Sequence, residues 1–426
     1  MRAENLMRAI GLLEEDLVLE AQRPERLRVI QRRRWVALAA CAALLMALPW
    51  LRMAPWLSGG AGSAQDSLQA EAGENREDAA EQTLEPFFAD VAAGGFGFEG
   101  VLAYDAQELG GTSPWQEGQT TPQTLPVYRN QNDLLAEGAV QFGLDAQQME
   151  QQLRALAAAL GYEVDAVRII PDAQQIAAYR QRLEQQGRDP DTDPNYEINT
   201  RPYSASAEAE GAEFEILTTG EFTVRLTEPL KLPQEYRLTQ QSTLADAERT
   251  SLYLAGLYAE QLGMVSPQPQ AQVTYSDSGE KKMTLSVRSG GTLERQLLEF
   301  GFGGLQFYLD ETGNACTMFR LWGTQAVGEK MGDYPLISAE EAAALLAEGS
   351  CYTSVTEPFP GVEYLARTEL VYREGTQAVA PYYRFWVELP ALAQENGLRT
   401  FGAYYVPAVK AEYLIDPPLS QWKMGE

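Results

Sequence analysis

Four groups of residues have types and spacings that chemistry could use. Ser278-Gly-Glu-Lys281 fits the Ser-x-x-Lys pattern of acyl-serine enzymes, which places the serine at a helix start and the lysine one turn on. Here the four residues fall in a hairpin-turn signal, and no Lys-Thr-Gly follows. Asp189-Pro-Asp-Thr-Asp-Pro-Asn195 sets carboxylates at alternate positions, as calcium loops do. Pro194 stands where an EF-hand loop needs glycine, so an exposed acidic loop is the favoured reading and no metal site is assigned. Tyr382, Arg384 and Trp386 alternate along a strand, with Tyr383, Phe385, Val387 and Leu389 on its other face. Such a face can stack on a ligand, although aromatic strands more often fill a core. Leu6, Ile10, Leu13 and Leu17 recur at helical spacing and form an apolar stripe suited to a partner.

Composition removes other chemistries. The chain has 426 residues and no histidine, so His-based general bases and triads are excluded and the commonest metal ligand is missing. Glu340-Glu341 belongs to a helix cap and not to a catalytic dyad. No glycine pattern that cradles phosphate precedes a helix, and no cofactor is expected. Three cysteines, Cys41, Cys316 and Cys351, exclude a disulfide-dense scaffold; the last two could pair, but their spacing does not require it. No nucleophile and base can be nominated together, so no enzymatic activity is expected.

These residues must be positioned by a chain organised around Gln31–Leu57. Arg32-Arg33-Arg34 is followed by an uncharged apolar run, Trp35–Leu51, close to the length a spanning helix needs. Trp35, Trp50 and Trp56 suit the two interfaces, and the arginine cluster puts residues 1–34 in the cytoplasm. An uncleaved anchor over 35–57 is the leading reading. A cleaved signal peptide, suggested by Ala61-Gly-Ser-Ala64, would carry an unusually long n-region. A lipoprotein signal at Leu38-Ala-Ala-Cys41 has most of its apolar run on the wrong side of the cysteine. A buried soluble helix fits poorly with the arginine flank.

The formal charge is −27, and residues 1–52 hold nine Arg against six Asp or Glu, which leaves −30 for the rest. That part would be repelled by nucleic acid. Residues 58–86 are polar and acidic and read as a flexible linker; 87–240 and 241–426 read as two parts of an ectodomain. Asp145-Ala-Gln-Gln148 and Ser338-Ala-Glu-Glu341 are capping boxes, and helices are also expected over 172–186 and 244–262. Residues 187–212 read as a long exposed loop. Strands are expected at 271–276, 281–288, 293–300, 303–310 and 315–322 as a meander, and at 362–373, 379–389, 400–406 and 409–415. The expected fold is α+β: one transmembrane helix, then antiparallel sheets with helices packed on one side.

Two resemblances bear on function. Ala9-Ile-Gly-Leu-Leu-Glu-Glu-Asp-Leu-Val-Leu-Glu-Ala21, with an arginine cluster and one span, resembles clostridial-type membrane proteins that act as anti-sigma factors or sigma-factor companions. The chain lacks the His and paired Cys of the zinc-binding subtype. Tyr334-Pro-Leu-Ile-Ser-Ala-Glu-Glu-Ala, the aromatic strand and Tyr404-Tyr-Val-Pro-Ala-Val409 resemble extracytoplasmic regulators of the YycH/YycI type and PepSY-like modules. These resemblances imply a membrane-anchored regulator or sensor whose cytoplasmic tail holds a protein partner, a sigma factor being the candidate. The alternative is an envelope binding or assembly protein with no signalling role. The expected partners are the bilayer, the cytoplasmic protein and an unspecified envelope ligand.

Overall fold

Four helices open with an acceptor side chain and a reciprocating residue three positions on: Asp145/Gln148, Asp172/Gln175, Thr243/Asp246 and Ser338/Glu341. Each pair satisfies two backbone N–H groups that would otherwise lack partners. The computed structural model describes residues 84–90, 99–109, 113–131, 143–193, 195–323, 327–415 and 422–423. Its principal elements in chain order are β1 (Gly100–Ala103), β2 (Thr124–Asn130), α1 (Ala146–Ala159), β3 (Val167–Ile170), α2 (Ala173–Gln185), β4 (Ser204–Ala209), β5 (Ala212–Leu217) and β6 (Phe222–Lys231). Then come α3 (Leu244–Tyr258), β7 (Gln272–Tyr275), β8 (Lys281–Arg288), α4 (Leu293–Phe302), β9 (Gly304–Leu309), β10 (Ala315–Trp322), β11 (Val327–Pro335), α5 (Ala339–Ala347), β12 (Leu365–Glu374), β13 (Ala378–Glu388) and β14 (Arg399–Pro407).

The architecture is α+β, with two large, mostly antiparallel sheets among the described residues. The first has the order β7-β8-β9-β10-β6-β5-β4-β3. Strands from both sides of residue 240, the expected division of the ectodomain, share this sheet: β6 pairs with β10. Alternation decides its faces: Phe214, Ile216, Phe222, Val224, Leu285, Val287, Leu305 and Phe307 are buried in one cluster with Met149, Leu153 and Ala157 of α1 and Leu254 and Ala255 of α3. Burial of a side chain of this size is worth about 1.5–3 kcal/mol.

The second sheet runs β11-β2-β13-β14, with β12 on the other edge of β13 and β1 on β14. Thr353 and Tyr352 extend β14 at Tyr404 and Tyr405. Its core contains Trp115, Tyr334, Tyr383, Phe385, Phe401 and Tyr404, with Ala342 and Leu346 of α5. Phe87–Phe88 pairs in parallel with Leu414–Ile415, and Phe87 sits edge-on to Tyr334 at 5.3 Å. Leu84 packs on this core and the Glu85 carbonyl accepts from the Tyr334 hydroxyl at 2.7 Å, so the end of the expected linker lies against the sheet.

Three expectations are corrected. Residues 293–300 form α4 and not a strand: Thr292 caps it, and Leu-Glu-Arg-Gln-Leu-Leu-Glu-Phe contains no β-branched residue. The expected loop 187–212 contains β4, whose small residues are fully buried (Ser204 and Ala205 both 0% exposed) and touch α1. The expected strand 409–415 is broken: Val409 makes a single bridge to Leu336, Ala411–Tyr413 form a 3-10 turn, and Leu414–Ile415 pair with Phe87–Phe88.

All described residues belong to one compact unit. Among them no helix is long and apolar enough to cross a membrane. The expected span at 35–57 and the tail residues Leu6, Ile10, Leu13 and Leu17 lie outside the described residues.

Candidate functional site

The two sheets enclose a cleft of about 420 Å³, a volume within the usual range for small-ligand sites. Strand alternation supplies its walls. Thr284 and Ser286 of β8 and Gln306 of β9 point into it, because their neighbours Leu285, Val287, Leu305 and Phe307 are held in the first core. Trp322 closes β10 over Gly304, where a Cβ would stand 2.9 Å from the Val287 carbonyl oxygen and 3.2 Å from the Trp322 ring. Gly304 also has φ +147, so only glycine permits this approach. The C-terminal end of α4 supplies Phe300, and Gln270 donates from Nε2 to the Phe300 carbonyl at 3.0 Å.

The opposite wall is β12 and β13, through Arg373, Arg384 and Trp386. Glu369, Arg384 and Tyr405 stand directly opposite one another on three neighbouring strands. The Arg384 guanidinium donates to Glu369 Oε2 from Nε at 2.9 Å and from Nη2 at 2.5 Å. Trp386 Nε1 donates to the same oxygen at 3.0 Å, and the Ser113 N–H donates to Oε1 at 3.2 Å. The guanidinium is flanked by the rings of Phe300 at 5.4 Å and Trp386 at 5.0 Å. A second ion pair lies beside it: Arg373 Nη2 donates to Glu99 Oε1 at 2.9 Å, and the Tyr405 hydroxyl donates to Glu99 Oε2 at 2.6 Å.

Burial opposes the charge on Arg384, but Glu369 and the Tyr405 hydroxyl outweigh it and hold the guanidinium above its ordinary range. Arg367, also near Glu369, is lowered by burial, with Glu369 opposing. Burial pushes the Tyr405 hydroxyl up to about 12, against the pull of Arg373 and Arg384. At neutral pH both guanidiniums, Arg384 and Arg373, are therefore charged, and the Tyr405 hydroxyl between them is neutral.

Tyr382, Arg384 and Trp386 do share a face, but only Arg384 and Trp386 reach the cleft. Tyr382 is 1% exposed and its hydroxyl donates to the Asp90 carbonyl at 3.0 Å, covered by the segment that carries Phe87. The other candidates lie apart. Ser278 sits in the β7–β8 turn with its hydroxyl 2.8 Å from that of Ser276, while Lys281 donates to the Ser242 carbonyl at 2.9 Å. Asp191 accepts from Arg180 at 3.0 Å and Asp193 pairs with Arg188. Cys316 and Cys351 are free and buried, and burial raises their thiols to about 11 and about 12, the protonated and unreactive form.

Sequence reading missed Glu369, Arg373, Glu99, Gln272, Gln306 and Trp322. Alternation in 281–288 and 304–309 places polar side chains opposite apolar ones, which marks a second use for that face. Nothing local indicates that this face meets β12 and β13. Comparison with protein-family models, with curated proteins and with solved structures finds no match.

Proposed function

We propose that this chain is a membrane-anchored extracytoplasmic sensor or regulatory protein. Residues 1–34 form its cytoplasmic tail, residues 35–57 its span, and the α+β domain binds an envelope component in the cleft. The observation that supports this best is the face of β13: Arg384 and Trp386 are fixed by a carboxylate behind them and present themselves to the cleft. A prepositioned wall of this kind lowers the ordering cost of binding. Glu369 is 0% exposed and fully engaged, which suits a binding site better than general-base chemistry, where the carboxylate must reach the ligand.

The tail stripe of Leu6, Ile10, Leu13 and Leu17 would dock a cytoplasmic protein, with a sigma factor as the first candidate. The anti-sigma resemblance and the arginine flank support that direction of signalling. The second reading, an envelope binding or assembly protein, uses the same cleft and leaves the tail without a partner.

Topology is tested with reporters fused after residue 90. A reporter active only outside the cytoplasm should be active, and one active only inside should be silent; the opposite pattern reverses the topology. Partner docking is tested by capture on the tail. Leu13→Ala should lower affinity by about 30- to 150-fold, the loss of a 2–3 kcal/mol hot spot, and Leu13→Asp by at least as much. If the unmodified tail captures no sigma factor or other defined protein, the regulatory reading falls and the envelope-binding reading stands.

A further inference from the structure

The cleft pairs internally compensated charge with several polar side chains that have no hydrogen-bond partner among the described residues. Gln272, Thr284, Gln306 and Trp322 line it, and none of their side chains hydrogen-bonds another described residue. The two arginines, in contrast, are matched: Arg384 by Glu369 and Arg373 by Glu99. An anionic ligand that drew Arg384 away would strip the fully buried Glu369 of its nearest counter-ion and leave it only the more distant Arg367, at 3.8 Å. The lining carboxylate, Glu374, accepts from Asn130 Nδ2 at 3.0 Å, and the neighbouring arginines repel a cation. A wholly apolar ligand would strand the amides.

We infer that the cleft binds a neutral, polyhydroxylated ligand, a segment of uncharged oligosaccharide. Amide side chains present a donor and an acceptor side by side, which fits adjacent sugar hydroxyls. Trp322 and Phe300 supply flat apolar surface for the C–H faces of sugar rings. An extended peptide is disfavoured because it is read by backbone hydrogen bonds at an open strand edge. β8, β9 and β13, which supply Thr284, Ser286, Gln306, Arg384 and Trp386, have neighbours on both edges and offer the cleft side chains alone, while Gln272 comes from the edge strand β7.

This inference rests on the cleft being a ligand site, and the test separates the two. The full chain in lipid nanodiscs is titrated by calorimetry with two neutral tetrasaccharides, tetra-N-acetylchitotetraose and maltotetraose, with anionic tetragalacturonate, and with uncharged, end-capped tetra-alanine. At least one neutral saccharide should bind, with an affinity that changes less than about twofold between low and high salt, as expected when no ion pair forms. Trp322→Ala and Gln306→Ala should each weaken it by about tenfold or more. Two variants are used so that a folding defect in one leaves the other informative. Steeply salt-dependent binding of tetragalacturonate alone would overturn the inference. Binding of the peptide alone, lost in Trp322→Ala, overturns the saccharide class and keeps the cleft as a ligand site. If no probe binds, both fall.

Discussion

Replacing Glu369 with glutamine should lower unfolding free energy by about 3–5 kcal/mol, the usual cost of removing one member of a buried ion pair. Glu369 is 0% exposed and receives Arg384, Trp386 Nε1 and the Ser113 N–H, with Arg367 also 3.8 Å away. Glutamine keeps the shape but leaves two arginines in a poorly solvated site with no opposing charge. Urea denaturation measures the loss. The paired variant Glu369→Leu with Arg384→Met should recover part of it, because apolar replacement of a buried pair is often neutral. Glu388→Gln supplies the contrast: its partner Arg399 lies 3.4 Å away with 45% of its side chain exposed, and an exposed pair contributes under about 1 kcal/mol. Equal losses for Glu369→Gln and Glu388→Gln would show that the buried network does not organise the site.

Phe87→Ala should be of similar size, about 3–5 kcal/mol for a large aromatic removed from a core. Phe87 is 1% exposed and edge-on to Tyr334, which is in turn edge-on to Tyr413 at 5.6 Å. The segment it anchors covers Tyr382 and secures the β12–β13 turn: Asp90 accepts from the Thr376 N–H at 2.8 Å and from its hydroxyl at 2.6 Å. Its failure should therefore be local before it is global. Hydrogen exchange should quicken first at Phe88, Thr376 and Ile415, while β4 and β5 keep their protection. In the proposed topology this segment joins the span to the domain, so the same variant should weaken any signal passed to the tail. A loss below about 1 kcal/mol would mean that Leu84–Asp90 is merely laid on the surface.

Local signals in the sequence carried far because they depend on neighbours along the chain. The capping boxes at Asp145 and Ser338 fold as expected, since the acceptor and the N–H it serves are three residues apart. Asp277-Ser-Gly279 makes the β7–β8 turn for a similar reason, with Gly279 at φ +81. In 293–300 only Leu293, Leu297, Leu298 and Phe300 are apolar, too few to fix a period by themselves, and Thr292 and Gly303 decide it by capping and ending a helix.

By itself the sequence determined the α+β class, most helix starts, the alternating face of β13 and the absence of histidine chemistry, all properties of residue type and near spacing. Only the tertiary structure decided which platform residues are available. Tyr382, Arg384 and Trp386 are equivalent by alternation, yet the Phe87–Asp90 segment, nearly three hundred positions earlier, covers the first and leaves the other two open. It likewise decided that Glu369, one polar residue among many in the sequence, is the buried counter-ion of the site. The physical reason is that burial and charge pairing are set by strands brought together from distant parts of the chain, where no local period reports them.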